Sequence, residues 1–249
     1  MDHIFTLNTC ISKYLNKGKR LYSCFVDFKK AFDSVSREAL LFKLSRFWIN
    51  GKFFDCVKHM YSNSKAKIKL LGKLSRAIDV KVGTEQGHPM SPELFKVFLL
   101  DLSRELNSPS LQAEVPELNG TELSHLLWAD DLVLFALDSS SLQKLIDIVY
   151  CFCEKWGLQV NISKTAVLVF NKTGRLLKES TCFKYGEMRI PSESTYCYLG
   201  ITVTLSGSLT KTMDELRKKG LRAYFALKSL IDINELTPSS IIKLFDALT

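Results

Sequence analysis

The stretch "HLLWADDLVLFAL", from His125 to Leu137, places two adjacent aspartates between two strongly apolar runs. The apolar runs predict two strands that meet at a tight turn carrying Asp130 and Asp131. Two carboxylates on such a turn repel each other, and desolvation strengthens the repulsion. A divalent cation would relieve both costs. A solvated hairpin turn, where Asp is a favoured residue, is the alternative, and the pair alone does not decide between the two.

A third carboxylate lies far upstream, in "CFVDFKKAFD" from Cys24 to Asp33. Here an apolar strand leads to Asp27, and the chain then turns into a helix; Asp33 fits the start of that helix better than a metal ligand. If the Asp27 strand lies beside the hairpin, three carboxylates meet at one sheet edge. Such a cluster can hold two metal ions about 3.5–4 Å apart, the pattern of nucleotidyl transfer.

Bulk composition is compatible with this chemistry. The 249 residues are 46% hydrophobic and 24% charged, with a formal net charge of +8, which favours one large domain and a polyanionic partner such as nucleic acid. The sequence has no apolar run of membrane-spanning length and no signal-peptide pattern at its start. Seven cysteines without a C-x-x-C pair read as reduced thiols. We therefore expect an intracellular protein, in the nucleus or cytoplasm, that is neither secreted nor bound to a membrane.

Helical periodicity marks several segments. Apolar spacing predicts an opening helix up to about Lys17, and Ser91-Pro92 predicts a helix capped by the serine hydroxyl that runs to about Leu106. Another helix carries an apolar stripe from Leu142 to Cys153 and ends at Gly157. The tail from Lys211 is helical and basic, and one more helix starts at Thr237-Pro238.

Strand patterns lie between these helices. "KAKIKLL" and "RAIDVKV", around Gly72-Lys73, alternate with period two and predict a hairpin with Lys65, Lys67 and Lys69 on one face. Short strands are predicted later in the chain, including one at Tyr196–Thr202. Strands and helices do not alternate strictly, so we predict an α+β fold with an antiparallel sheet.

Five motifs in order resemble the reverse transcriptase domain of non-LTR (LINE-type) retrotransposons: "FVDFKKAFD", "GTEQGHPMSP", "WADD", "KWGLQVNISKT" and "YLG". The resemblance covers roughly Asp2 to Gly200. It implies a right-hand polymerase palm, an antiparallel sheet backed by helices, with incomplete fingers and the start of a thumb. The implied boundaries are 1–205 for the palm with partial fingers and 206–249 for a partial helical thumb.

The resemblance also implies roles for single residues. It makes Asp27, Asp130 and Asp131 the catalytic, metal-binding carboxylates and Lys164 the acid that protonates the leaving pyrophosphate. Phe32 matches the ring that leaves no room for a 2′-hydroxyl on the incoming nucleotide. The remaining matches are nucleotide-binding Gln86 and Gly87, and primer- or template-binding Trp128, Tyr198, Leu199, Gly200, Lys65, Lys67 and Lys69.

The function that follows is RNA-directed DNA polymerase, a nucleotidyltransferase that uses two Mg²⁺ ions, or Mn²⁺, with an RNA template, a DNA primer and deoxynucleoside triphosphates. The main alternative is a truncated, catalytically silent palm that only binds nucleic acid. An RNA-directed RNA polymerase is a weaker third interpretation, against which Phe32 argues.

The sequence departs from the family pattern at two places. Trp128 stands where the family usually has Phe or Tyr, and a single helix precedes the Asp27 strand. With no endonuclease domain in the sequence, we expect a fragment of a larger retrotransposon protein or the remnant of a decayed element, and whether the chain alone is active stays open.

Overall fold

The computed structural model describes residues 2–62, 64–84, 88–176, 182–230 and 237–248. Its α-helices are α1 (Asp2–Asn16), α2 (Ala31–Ser34), α3 (Arg37–Arg46), α4 (Lys52–Ser62), α5 (Ser91–Leu106), α6 (Ser139–Trp156), α7 (Thr210–Leu230) and α8 (Pro238–Leu248). Its strands are β1 (Leu21–Asp27), β2 (Lys65–Ala66), β3 (Lys69–Leu70), β4 (Lys73–Leu74), β5 (Ile78–Asp79), β6 (Glu117–Leu118), β7 (Thr121–Glu122), β8 (His125–Trp128), β9 (Asp131–Ala136), β10 (Ala166–Phe170), β11 (Lys184–Tyr185), β12 (Met188–Arg189), β13 (Thr195–Tyr198) and β14 (Ile201–Thr204).

A central sheet organises the fold, with the strand order β10-β1-β9-β8 and antiparallel pairing throughout. Both faces of this sheet are covered. Cys24 and Val26 point to the helices α3, α5 and α6, whereas Leu21 and Phe25 point to α1 and to the pair β13–β14. Burial on both faces explains why β1 and β9 read as continuous apolar runs rather than as alternating patterns. The predicted α+β fold with an antiparallel sheet is confirmed.

The helix predictions are largely confirmed. The predicted apolar stripe of α6 is buried, and Gly157 ends the helix at φ 72°, a conformation that glycine adopts without strain. The capping role predicted for Ser91 is wrong by one position, because Ser91 is itself the first helical residue and Met90 takes the capping position. The tail helix α7 forms as expected, and the hydroxyl of Thr202 in β14 donates a hydrogen bond to Glu215 Oε2 of α7 at 2.6 Å.

The strand predicted at Tyr196–Thr202 is instead a hairpin. β13 and β14 pair with Tyr198 opposite Ile201, and the two residues between them form the turn. Leu199 and Gly200 both have positive φ values, of 47° and 78°. Two central residues with positive φ match the right-handed twist of the flanking strands, so this turn reverses the chain where the apolar pattern alone suggested continuation.

The predicted lysine hairpin is present as two short ladders, β2 with β5 and β3 with β4. Its base is held by Arg37, which is 6% exposed and donates to the carbonyl oxygens of Gly83 (2.9 Å), Tyr61 (3.2 Å) and Val80. A buried guanidinium needs such acceptors to offset its desolvation. The hairpin is therefore fixed at its base while its lysines remain exposed.

A second buried cation lies between α3, α5 and α6. The side chain of Lys43 is fully buried, with its Nζ 4.5, 4.4 and 4.0 Å from the ring centroids of Phe98, Phe152 and Trp156. It donates to the carbonyl oxygen of Phe98 at 2.5 Å and lies 3.5 Å from Asp101 Oδ2. Burial lowers the pKa of Lys43 to about 8, and the nearby Asp101 offsets only part of that effect.

This lysine predicts a pH-dependent stability. Because the pKa of Lys43 falls from 10.5 unfolded to about 8 folded, the unfolded chain binds the proton more tightly, and stability rises with pH across that window. We expect Lys43→Met to be more stable than the parent at pH 7, by at most about 3 kcal/mol, with the gap closing towards pH 10. Urea unfolding at both pH values measures the gap, with exposed Lys96→Met as the control. An equal gap at both pH values would contradict the account.

Candidate active site

The aspartates from the two distant motifs meet at one end of the central sheet. Asp27, the last residue of β1, lies directly opposite Asp131, the first residue of β9. Side chains directly opposite in an antiparallel pair have Cβ atoms about 4.5–5.5 Å apart. Asp130 occupies the predicted tight turn between Trp128 and Asp131, where Ala129 adopts a positive φ of 52°. The Asp27 strand therefore lies beside the hairpin that carries Asp130 and Asp131, as the sequence predicted.

The three carboxylates act on one another electrostatically. Burial raises the pKa of Asp131 above its ordinary value, and the negative charges of Asp130 and Asp27 raise it further. Among the residues that the structure describes, no group of three His, Cys, Asp or Glu side chains is already gathered around a common metal position. Mg²⁺ commonly binds through one or two carboxylates and completes its shell with water and substrate phosphates. Hard oxygen donors that repel one another fit such an ion.

The segment that carries Lys164 runs along the end of β1. The backbone amide of Asp27 donates to Thr165 Oγ1 at 3.2 Å, and its carbonyl oxygen accepts from the amide of Asn161 at 2.8 Å. The amide of Lys164 in turn donates to the carbonyl oxygen of Asn161 at 3.0 Å. Lys164 thus lies on a turn that is hydrogen-bonded to both the amide and the carbonyl group of Asp27. Its side chain is exposed to solvent.

Phe32 lies in α2, just after the Asp27 strand. Its half-buried ring packs against Phe95 with centroids 5.0 Å apart, and its carbonyl oxygen accepts from the amide of Thr84 at 2.8 Å. This close approach depends on Gly83, at φ 88°, where a Cβ would lie 2.9 Å from the carbonyl oxygen of Asp33. Two predicted nucleotide-binding residues, Gln86 and Gly87, lie outside the described residues.

The predicted primer-contacting residues occupy different environments. The Trp128 side chain is 52% exposed beside the carboxylates, and its ring meets His3 edge-on at 5.3 Å. Tyr198 is only 2% exposed, so its ring belongs to the core, and the turn Leu199-Gly200 is the part of the motif that reaches the surface. Three further predicted contacts are exposed on the lysine hairpin: Lys65, Lys67 and Lys69.

Tyr196 is a site residue that the motifs did not reveal. Its ring stacks on Phe25 at a centroid distance of 4.5 Å, and burial together with the charges of Asp27 and Asp131 raises the pKa of its hydroxyl. The available signal was the period-two spacing of Tyr196 and Tyr198, which puts both rings on one face of a strand. That signal could not show which sheet the strand packs against.

Comparison with known proteins agrees with this geometry. The family model described as "Reverse transcriptase (RNA-dependent DNA polymerase)" matches residues 3–203. The chain belongs to the reverse transcriptase family. A "Retrovirus-related Pol polyprotein from type-2 retrotransposable element R2DM" of Drosophila melanogaster is 31% identical over 199 residues, which are 76% of this chain and 18% of that protein. An "RNA-directed DNA polymerase from mobile element jockey" of Drosophila funebris is 25% identical over 187 residues, 69% of this chain and 20% of that protein.

A solved structure supports the fold of this reverse transcriptase domain. Telomerase from Candida tropicalis, in complex with a TWJ fragment of telomeric RNA, matches with a TM-score of 0.58 at 15% identity, covering 99% of this chain and 40% of that one. The resemblance to non-LTR retrotransposon reverse transcriptases and the palm-like fold are thereby confirmed. The chain spans less than a fifth of the length of the R2DM polyprotein.

Membership of the family implies the use of a metal. Reverse transcriptases use divalent metal ions, in keeping with the paired carboxylates of the site. Within the described ranges, no helix combines the length and apolar character needed to cross a membrane.

The charge repulsion at the site predicts a stabilising substitution. A raised pKa for Asp131 means that the folded chain binds its proton more tightly than the unfolded chain, so the charged form at pH 7 destabilises the fold. In EDTA at pH 7 we expect Asp131→Asn to have a free energy of unfolding about 0.5–1 kcal/mol higher than the parent. The gain is small because solvent screens these partly exposed charges. The gain should disappear below the ordinary pKa of 3.8.

Urea unfolding in EDTA at both pH values measures this gain. Asp147→Asn, on the exposed face of α6, is the matched control and should change little. Equal stability of the parent and Asp131→Asn at pH 7 would mean that the three charges do not interact.

Proposed function

We propose that the chain is the polymerase part of a larger retrotransposon protein and that it copies an RNA template into DNA from a primer 3′-hydroxyl. The observation that carries the proposal is the cross-strand opposition of Asp27 and Asp131, with Asp130 in the adjoining turn. Residues 1–205 would form the palm with partial fingers, and 206–249 the beginning of a thumb.

Asp27, Asp130 and Asp131 are proposed to hold two Mg²⁺ ions, which Mn²⁺ could replace. Their carboxylate oxygens are the hard donors that these ions prefer, and their mutual repulsion is what bound cations would relieve. When bound, the ions supply activation of the primer hydroxyl and neutralisation of the phosphate charge. The carboxylates would hold the two cations at the end of the sheet, beside the exposed Trp128.

Other residues are proposed to handle the proton and the sugar. Lys164, exposed on the turn bonded to Asp27, would protonate the leaving pyrophosphate. Phe32 would exclude a ribose 2′-hydroxyl, because its ring is fixed on one side by Phe95 and only half-buried. Gln86 and Gly87 are proposed to line the nascent base pair.

The nucleic acid is proposed to follow the basic and aromatic surface. Trp128 and the turn Leu199-Gly200, which follows the buried ring of Tyr198, would support the primer end. Exposed lysines of the hairpin would contact template phosphates: Lys65, Lys67 and Lys69. The net charge of +8 suits RNA template, DNA primer and deoxynucleoside triphosphates alike.

Primer extension on an RNA template tests the central proposal. Asp130→Asn should lower deoxynucleotide incorporation by about 10³-fold or more, since several kcal/mol of transition-state stabilisation would be lost. Asp147→Asn is the matched control and should keep full incorporation. Equal incorporation by both variants would exclude this mechanism. The alternative would then be a catalytically silent palm that only binds nucleic acid. Its RNA binding should be sensitive to salt and should require neither magnesium nor Asp27.

Sugar selection makes a separate prediction. Phe32→Val removes the ring and should raise ribonucleotide use relative to deoxynucleotide use by about 10- to 200-fold, the range that a shape-selective pocket provides. Single-nucleotide incorporation with matched ribo- and deoxynucleotides gives the ratio. An unchanged ratio would show that Phe32 is an ordinary core residue, and an initial preference of the parent for ribonucleotides would favour an RNA polymerase.

The hairpin lysines predict a change in salt dependence. Replacing Lys65, Lys67 and Lys69 by Ala should weaken RNA binding and reduce the slope of log K against log salt by about 2, since each phosphate contact to a single strand contributes about 0.7. Fluorescence anisotropy at several salt concentrations gives the slope. A control carries the same change at three exposed lysines of α6 and β11: Lys144, Lys155 and Lys184. Equal slopes for the two triple variants would mean that the hairpin does not contact the template.

A further inference from the structure

The carboxylates and the β13–β14 hairpin lie on the same face of the central sheet. Side chains alternate along a strand, so Asp27 shares its face with Phe25, and Asp131 shares its face with Val133. Phe25 and Val133 both pack in the cluster that contains β13 and β14. The hairpin, together with α1, therefore covers the face of the sheet to which both carboxylates belong.

Tyr196 is held at the carboxylate end of this packing. Its ring stacks on Phe25, two residues before Asp27, at 4.5 Å between centroids and 20° between planes. The side chain is half-buried, and the charges of Asp27 and Asp131 both act on its hydroxyl, raising its pKa. A stacked ring has little freedom, so the hydroxyl keeps a fixed position in the field of the two carboxylates.

Tyr198 adds a second hydroxyl on the same face of the sheet, and this one is buried. Its ring lies 5.7 Å from that of Phe25 and is 2% exposed, and its hydroxyl has no hydrogen-bond partner among the described residues. The charge of Asp131 also contributes to the raised pKa of this hydroxyl. Buried polar groups are nearly always paired, so this unpaired phenol, on the face that carries the carboxylates, needs an explanation.

We propose that Tyr196 and Tyr198 are positioning residues that orient the carboxylates of Asp27 and Asp131 for cations. Each phenol would donate a hydrogen bond to the carboxylate oxygen that does not face the ion. Ligating carboxylates generally depend on such outer partners. The inference rests on the proposed function, and it gives the unpaired hydroxyl of Tyr198 a partner.

Mn²⁺ binding to the full chain, followed by electron paramagnetic resonance, tests the inference without any measurement of catalysis. The double variant Tyr196→Phe/Tyr198→Phe keeps both rings and their packing but removes both hydroxyls. We expect it to bind Mn²⁺ about tenfold more weakly than the parent, the lower end of the usual effect of outer partners. The pH of half-maximal binding should also rise, because hydrogen bonds to a charged carboxylate favour the charged form.

Two further variants separate the possible outcomes. Tyr22→Phe removes a phenol on the opposite face of β1 and should bind Mn²⁺ like the parent. Asp27→Asn should lose most of the binding. If Asp27→Asn weakens binding but the double variant does not, or if Tyr22→Phe weakens it equally, the positioning role is wrong and the proposed function stands. If Asp27→Asn leaves binding unchanged, the proposed metal site fails, and the tyrosine inference fails with it.

Discussion

The candidate site depends on two like charges being held directly opposite each other. Asp27 and Asp131 face across β1 and β9, a pairing that by itself weakens a sheet. The strands stay paired because the residues preceding Asp27 and following Asp131 are buried on both faces of the sheet. The apolar core thus keeps an unfavourable pair of charges in place. A bound cation would relieve the repulsion between them.

The surrounding elements support that pair from three sides. The turn from Asn161 to Thr165 accepts a hydrogen bond from the amide of Asp27 and donates one to its carbonyl oxygen. These two hydrogen bonds fix the end of β1. The turn at Ala129-Asp130 reverses the chain within two residues. The hairpin of Tyr196 and Tyr198 covers the face to which the carboxylates belong. A polymerase site needs this rigidity, because a reacting phosphate must be positioned to within a fraction of an ångström.

Much of this arrangement was predictable from sequence because its signals are local. Apolar runs on either side of Asp130-Asp131 predict two strands and a turn, and a third run predicts the Asp27 strand. Packing across the chain was not predictable: nothing near Tyr198 in the sequence indicates that its ring is buried against Phe25, or that Lys43 is enclosed by aromatic rings. These features come from residues far apart in sequence, for which periodicity carries no information.

The most direct test of the account is a crystal structure with an RNA template, a DNA primer, an unreactive deoxynucleotide analogue and Mn²⁺, located by anomalous scattering. We expect two anomalous peaks about 3.5–4 Å apart, both within coordination distance of the carboxylates of Asp27, Asp130 and Asp131. Peaks elsewhere, or an Asp27 carboxylate turned away from the other two onto a separate surface, would contradict it.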